Sequence, residues 1–360
     1  MRVAVLGCGL MGTSIAMASS RNGDDVAGWD PDADVLLRSS RRAGFTATSS
    51  LKEAVDGAEL VLVCAPTASL ADVAAEALTA SSTAIVTDIG SVKTPVNEQV
   101  ASLVGESVAE RFVGGHPMCG SERSGPDVAA AALLDGSVWV IAPGGSTDPS
   151  AVATLSEWVA ALGAKPMVMD PLVHDRVVAV VSHLPQVVST ALMGLAAREE
   201  EGVPETLVLA AGGFRDLTRL AASNPHLWAE ILRSNGPELK RAIDLLIEDL
   251  GALKEELDLD EPGRLEETLS AATKARLSLG ARPKVRAGVA VVQVPIPDKP
   301  GALAELTSGM SELGVNIEDL QIVHSPEGGR GTVHLTVAAS DADAAVAAAE
   351  KHGYEAYRIA

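Results

Sequence analysis

Residues 1–12 read MRVAVLGCGLMG, an apolar run from Val3 to Leu6 that feeds into Gly7, Gly9 and Gly12 and then into Thr13-Ser14-Ile15-Ala16-Met17. The pattern reads as strand, tight turn and helix. Gly7 has to turn sharply, Gly9 has to let the backbone approach a pyrophosphate, and Gly12 has to let the helix lie against the strand. The first helical amides, from Leu10 and Met11 onward, then face the anion. A lone G-x-G-x-x-G run is weak. Here a second apolar stretch, Asp25-Val26-Ala27-Gly28-Trp29, follows and ends in Asp30, where an acidic residue accepts ribose hydroxyls. Asp30 favours NAD, because it would repel the 2′-phosphate of NADP, and Arg38, Arg41 and Arg42 lie too far along to reverse that preference.

The 360-residue chain is 47% hydrophobic, which allows two or three domains with sizeable cores and excludes a disordered protein. Its formal net charge of -20 is spread along the chain; it argues against nucleic acid or an anionic membrane surface and leaves small molecules as partners. The three cysteines, Cys8, Cys64 and Cys119, have no metal or disulfide spacing and match a reducing compartment, so no metal is expected. The turn-spaced glycines interrupt what would otherwise look like a secretion signal. The longest later apolar stretch, 177–197, contains His183, Pro185 and Gln186, so no membrane span and a cytoplasmic location are expected.

From residue 1 to about 170, short apolar runs alternate with helical patterns: Leu60-Val61-Leu62-Val63, Ala84-Ile85-Val86-Thr87 and Val138-Trp139-Val140-Ile141. This predicts a parallel, doubly wound α/β sheet covered on both faces, with ligands at the carboxyl ends of its strands. Three strand ends are informative: Cys64-Ala65-Pro66-Thr67, Asp88-Ile89-Gly90-Ser91-Val92-Lys93, and the run from Gly114 through His116 to Glu122. Turn and cap chemistry accounts for Thr67. His116, read as a loop residue among glycines and a proline, has little apolar surface to pack against and lies at the expected mouth of the site. A loop histidine is commonly just solvated. A neutral imidazole there could also take a proton at neutral pH, with Ser91 holding or relaying it.

From about Asp170 to Arg282 helical patterns take over. In the stretch 174–186, Asp175, Ser182 and Gln186 fall near one helical face with His183 beside them, as internal hydrogen-bonding partners or as site lining. Gly212-Gly213-Phe214-Arg215-Asp216-Leu217-Thr218-Arg219 opens another helix. Arg219 could simply pair with Asp216. Asn224-Pro225 breaks the pattern and Trp228 follows. A basic connector, 281–288, marks a third domain. Beyond it come a strand from Val289 to Ile296, the turn Asp298-Lys299-Pro300-Gly301, a helix, a strand near Ile317 to Val323, a turn at Glu327-Gly328-Gly329, a strand, a helix from Asp341 and a last strand near Tyr354 to Ile359. That order is a βαββαβ unit of the ferredoxin-like kind. The expected domains are residues 1–170, 171–282 and 288–360.

The motifs Gly115-His116-Pro117-Met118 with Gly120 to Gly125, Ser182-His183-Leu184-Pro185-Gln186, Gly213 to Arg219 with Trp228, and Asp298 to Gly301 resemble, in this order, the prephenate/arogenate dehydrogenase family of tyrosine biosynthesis with a C-terminal ACT domain. The resemblance covers nearly the whole chain. It implies an NAD-dependent oxidative decarboxylation, with a catalytic histidine at His116 and an assisting serine at Ser91. It places a carboxylate-binding arginine at Arg219, and Ser182, His183, Gln186, Glu122, Gly212 and Trp228 around the pocket. Ala65 and Pro66 join the glycine loop on the cofactor. Asp298, Pro300, Gly301, Asn316 and Ile317 fall at the effector site of such ACT units, where tyrosine, as end product, is the expected ligand. A homodimer is expected by analogy.

The neutral Gln186, placed near the substrate's side chain, leans the reading towards prephenate over arogenate, whose ammonium an acidic neighbour would select. Two rivals remain. A hydroxyacid-type dehydrogenase would need a helix lysine as acid/base, and only Lys93 is near. A non-catalytic NAD and amino-acid sensor would not need His116 and Arg219 together.

Overall fold

The computed structural model describes residues 1–120, 124–257, 262–281, 289–297, 299–324 and 330–358. They form two compact units, one of Met1–Leu209 with Arg215–Glu248 and one of Ala210–Phe214 with Asp249–Ala360. The helical stretch expected at 171–282 therefore contributes to both. The connector 282–288, the turn Glu327-Gly328-Gly329, Glu122 and Asp298 lie outside the described residues.

The first unit is built on an eight-stranded sheet. Its strands are β1 (Arg2–Leu6), β2 (Asp25–Trp29), β3 (Thr46–Ala47), β4 (Leu60–Val63), β5 (Ile85–Asp88), β6 (Phe112–Pro117), β7 (Val138–Pro143) and β8 (Lys165–Val168), in the order β3-β2-β1-β4-β5-β6-β7-β8. Chain order reverses between β1 and β4, and at such a switch point the helices leave towards opposite faces and open a crevice. β1 and β4 are buried almost end to end, as strands covered on both faces must be. The helices are α1 (Leu10–Arg21), α2 (Ala33–Ala43), α3 (Leu51–Val55), α4 (Leu70–Ala80), α5 (Thr94–Val104), α6 (Glu106–Ala109) and α7 (Pro149–Ala161). One core sits on each face, around Val5, Ile15 and Trp139 on one and Leu6, Leu70 and Val86 on the other.

The doubly wound sheet is parallel at every pair but one. β6 and β7 run antiparallel, with His116 opposite Val140, and β8 is parallel to β7. A parallel return needs a crossover helix. The connection from β6 to β7 carries only two short 3-10 turns among its described residues, Pro126–Val128 and Ala131–Leu134, so β7 reverses.

After β8 a helical run follows: α8 (Pro171–Val178), one π turn (Ala179–His183) and α9 (Leu184–Glu200). Pro185 has no N–H to donate, and the wider turn just before it absorbs the break. The inward face carries His174, Asp175, Val178, His183, Gln186 and Ser189, all buried. The outward face leaves Val173, Val177, Val180, Val181 and Val188 exposed. By length and composition alone this run, Pro171–Glu200, which holds an 18-residue window of mean hydropathy 1.5, is long and apolar enough to cross a membrane. Next come α10 (Gly212–Thr218), a 3-10 turn (Arg219–Ala222), α11 (Pro225–Ser234) and α12 (Gly236–Glu256). Asn224 starts α11 as well as ending what precedes it, since its side chain accepts from the amides of His226 and Leu227.

The second unit contains α13 (Pro262–Ala281), then β9 (Val289–Pro297), α14 (Ala302–Glu312), β10 (Ile317–His324), β11 (Arg330–Ala338), α15 (Ala342–Lys351) and β12 (Tyr357–Arg358). The four strands form an antiparallel sheet ordered β10-β11-β9-β12, the ferredoxin-like arrangement that the element order predicts. Alternate residues Val292, Val294 and Ile296 meet Leu306, Met310, Ala345 and Ala349 of the two helices in one core.

Candidate active site

The glycine loop is shaped by contact. Gly7 has φ +97°, which favours glycine, and a Cβ on Gly12 would stand 1.9 Å from the Gly7 carbonyl oxygen, so α1 lies on the loop only because Gly12 has no side chain. A Cβ on Gly9 would meet nothing within 4 Å, which leaves room over the loop for a pyrophosphate. No side chain caps α1 and no acidic residue occupies its first turn, so the amides after Gly9 are open to an anion. Asp30 accepts from the amides of Cys8 at 2.7 Å and Asp32 at 2.9 Å, one on each carboxylate oxygen, and each oxygen keeps a lone pair for a ribose hydroxyl. Arg38 is engaged by Asp34 and Asp127, and both Nε and Nη2 of Arg42 donate to the carbonyl of Ala129. Neither is spare for a 2′-phosphate. Ala65 and Pro66 follow β4, beside the loop across the switch point. The residues present fit a dinucleotide with two free ribose hydroxyls.

A cavity of about 310 Å³ is lined by Ser91, His116, Pro117, Met118, Cys119, Ser182, His183, Trp228 and Ile231. It gathers Ser91, His116, Ser182, His183 and Trp228 of the sequence-derived candidates. His116 is a strand residue, one before the end of β6, where a free loop was expected. Gly115 explains its placement. A Cβ there would come within 2.5 Å of the Asp88 carbonyl oxygen, so β6 runs closer to the end of β5 than a side chain would allow.

The His116 Nδ1 lies 2.9 Å from His174 Nε2, and His174 Nδ1 lies 2.8 Å from Asp175 Oδ1. Asp175 also accepts from the amides of Lys93 and Thr94, each at 2.8 Å, at the start of α5. Burial pushes the Asp175 pKa up, but the donors His174, Lys93 and Thr94 outweigh it, and the carboxyl is held below its usual range. An ionised Asp175 makes His174 the Nδ1–H tautomer. The His174 Nε2 is then an acceptor and His116 Nδ1 must carry the hydrogen, which leaves His116 Nε2 as a bare lone pair. Burial draws the His116 pKa well below the ordinary histidine value, and the positive charge of Lys93 adds to the fall. Part of the ring still faces the cavity, so solvent there moderates the effect. The imidazole is neutral at pH 7.

His183 is set the other way. The Asn235 amide nitrogen donates to the Asp175 carbonyl at 2.8 Å and to His183 Nδ1 at 3.1 Å, so Nδ1 is an acceptor and Nε2 keeps its hydrogen. Burial takes the His183 pKa down to about 4, with Asp175 opposing, and the ring stacks edge-on against Trp228. The two imidazoles on the cavity are therefore set oppositely, His116 as a proton acceptor and His183 as a neutral donor.

Lys93 cannot serve as the acid/base of a hydroxyacid-type enzyme. Its ammonium is fully buried, paired with Asp88 and hydrogen-bonded to the Gly115 carbonyl at 2.6 Å. Burial lowers its pKa and Asp88 opposes that shift. Removing one member of such a pair costs about 3–5 kcal/mol, so the pair pins β5, α5 and β6 together.

Several candidates lie elsewhere. Among the described residues Ser91 makes no hydrogen bond to His116, whose Nδ1 is taken by His174. Gln186 is off the cavity lining; its Nε2 donates to the Leu220 carbonyl at 2.9 Å while its Oε1 is buried without a partner among the described residues. Arg219 begins the 3-10 turn that Gln186 and Ser189 hold, is exposed, and is not part of the cavity wall. Gly212 starts α10 within the second unit. In that unit Pro300, Gly301 and Asn316 are exposed and Ile317 is half-buried; Gly301, at φ +92°, caps α14. Sequence reasoning assigned no role to His174, Asp175 as a cap, or Asn235. The usable signal was a His-Asp pair set in an otherwise apolar helix.

A switch-point crevice with an open helix start, and a cavity with a bare imidazole nitrogen beside a neutral donor, define a dinucleotide-dependent dehydrogenase. The model for the prephenate dehydrogenase nucleotide-binding domain matches residues 15–168, that for the prephenate dehydrogenase dimerization domain residues 170–271, and the ACT domain residues 290–353. The cyclohexadienyl dehydrogenase of Zymomonas mobilis is 33% identical over 282 residues, 77% of this chain and 95% of that protein. The crystal structure of Synechocystis arogenate dehydrogenase superimposes with a TM-score of 0.70 at 30% identity, covering 78% of this chain and all (100%) of the other. That of prephenate dehydrogenase from A. aeolicus, in complex with hydroxyphenyl propionate and NAD+, does so with a TM-score of 0.72 at 28% identity, covering 78% and 98%. The chain belongs to the prephenate dehydrogenase family, whose members are oxidoreductases.

Proposed function

We propose that this protein catalyses the NAD-dependent oxidative decarboxylation of prephenate to 4-hydroxyphenylpyruvate. The observation that carries the reading is the pair of oppositely set neutral histidines on one cavity, His116 with a bare Nε2 and His183 with an Nε2–H. Bound NAD supplies the acceptor for the hydride that leaves ring carbon C4. His116 Nε2 takes the proton of the C4 hydroxyl as the hydride departs. When CO2 leaves, the electrons of the broken C–C bond fill the ring, the C4 oxygen becomes phenolic, and it takes the proton back. No net proton is released, so His116 stores one during the reaction. His183 donates to a substrate oxygen, and Ser91, Ser182 and Trp228 shape the pocket, with Glu122 as a further assigned contact. Arg219 is assigned to a substrate carboxylate, which its planar fork can grip through two oxygens.

Prephenate is favoured over arogenate because no carboxylate lines the cavity among its described residues, so nothing there selects an ammonium. NAD is favoured over NADP because Asp30 closes the second strand and Arg38 and Arg42 are engaged elsewhere. The apolar outward face of α8 and α9 falls within the dimerization-domain match and is assigned to a second copy of the chain. Tyrosine is assigned to the ACT unit as effector, at Asp298, Pro300, Gly301, Asn316 and Ile317, and the enzyme to the cytoplasm. Initial rates with prephenate and arogenate, each with NAD+ and NADP+, test the reading. Prephenate with NAD+ should give the highest kcat/KM. A higher value with arogenate overturns the substrate assignment, and no turnover of either overturns the activity.

A further inference from the structure

We propose that His174, backed by Asp175, is a positioning residue for His116: it holds His116 in the Nδ1–H tautomer and shares the charge His116 acquires while it stores the substrate's proton. The inference builds on the reaction proposed above. Three observations carry it. The two histidine nitrogens are 2.9 Å apart, with rings edge to face at 79°. His174 is 1% exposed and its other nitrogen is on a 2% exposed carboxylate, so both of its nitrogens are shielded from bulk water. Asp175 is itself immobilised by the amides of Lys93 and Thr94, which makes the line Asp175–His174–His116 rigid from the start of α5 to the cavity.

The chemistry follows from the geometry. A free imidazole samples both tautomers, and the wrong one would present an N–H to the substrate hydroxyl where an acceptor is needed. When His116 Nε2 takes the hydroxyl proton, its Nδ1–H can move along the hydrogen bond to His174 Nε2. His174 is then an imidazolium against Asp175, and His116 is neutral again with its hydrogen on Nε2. The movement reverses when the phenolic oxygen reclaims its proton, so atoms and charges balance without an outside base. An aspartate-backed histidine whose nitrogens have assigned roles is the same logic as in a Ser-His-Asp triad, with a second histidine in place of the serine.

The test is ¹⁵N NMR of the histidine side chains in the whole protein, read together with kinetics. In the unmodified protein the His116 signals should show a protonated Nδ1 and an unprotonated Nε2. His174→Phe should move His116 towards the Nε2–H form and lower kcat by about ten- to a thousand-fold, within the range of general-base effects, with KM for prephenate and NAD+ within about two-fold. His174→Gln, whose amide oxygen can accept from His116 Nδ1, should restore the tautomer and part of kcat. Circular dichroism identifies any variant that has merely unfolded, and His174→Gln then decides alone. A His116 that carries its hydrogen on Nε2 in the unmodified protein overturns the inference, as does a tautomer and kcat indifferent to His174→Phe. The tautomer is read without substrate, so failure of the proposed reaction would show in the kinetics and leave the NMR result standing.

Discussion

His116 is the residue on which the chemistry turns. Its replacement by asparagine keeps a side chain of similar reach but cannot take the hydroxyl proton. His116→Asn should lower kcat by about a hundred- to ten-thousand-fold with little change in KM, measured as NADH formation at saturating prephenate. An unchanged kcat would remove His116 from the mechanism. His183 makes a separate prediction for stability. Its pKa in the folded protein is about 4, below the ordinary 6.5, so the unfolded chain binds a proton in that interval and the native state does not. The contribution is complete above pH 6.5 and is lost as pH falls to 4, by on the order of 3 kcal/mol. His183→Gln keeps an acceptor for Asn235 and cannot titrate. Urea unfolding at pH 7 and pH 4.5 should therefore show a smaller loss in the variant than in the parent; equal losses would mean that other groups carry the acid sensitivity. His116 could be found from its motif. His174 showed only the local signal of its Asp175 neighbour; its pairing with His116 was hidden by a separation of 58 positions.

At the scale of elements, the site depends on how closely β5 and β6 approach. Gly115→Ala would put a methyl against the Asp88 carbonyl, and relief requires moving the strand that carries His116. We expect a stability loss of about 1–3 kcal/mol and a fall in kcat, by thermal unfolding and steady-state kinetics. Gly145→Ala, where a Cβ meets nothing within 4 Å, is the control and should do neither. If the two variants behave alike, the close approach is not what holds His116. The π turn at Ala179–His183 is a second such device, since it rephases the helix so that His174, before the turn, and His183, at its end, both face inward. Helical periodicity placed Asp175, Ser182 and Gln186 on one face. It did not show that Gln186 would turn to Leu220, because that carbonyl arrives from a 3-10 turn 34 positions away.

For the whole molecule, the ACT unit predicts regulation. Tyrosine should inhibit the full chain, and a chain ended at Lys284 should keep dehydrogenase activity while losing that inhibition. Asn316→Ala should raise the tyrosine concentration needed without altering KM in its absence; coupling of about 1–3 kcal/mol would be ordinary. Inhibition that survives truncation and is competitive with prephenate would place tyrosine in the active site. The sequence by itself determined the strand–glycine–helix opening, the alternation of apolar runs and helices, and the βαββαβ order at the end. These are local features, written in neighbouring residues through turn sterics and side-chain periodicity. It also marked His116 and His183. Only the tertiary structure decided that β7 reverses against β6, that Asp175 caps α5 from 82 positions away, and that Lys93 is sealed against Asp88. Those pairings join residues distant in sequence, and a proton acceptor acquires its tautomer and its pKa from such neighbours, whichever part of the chain supplies them.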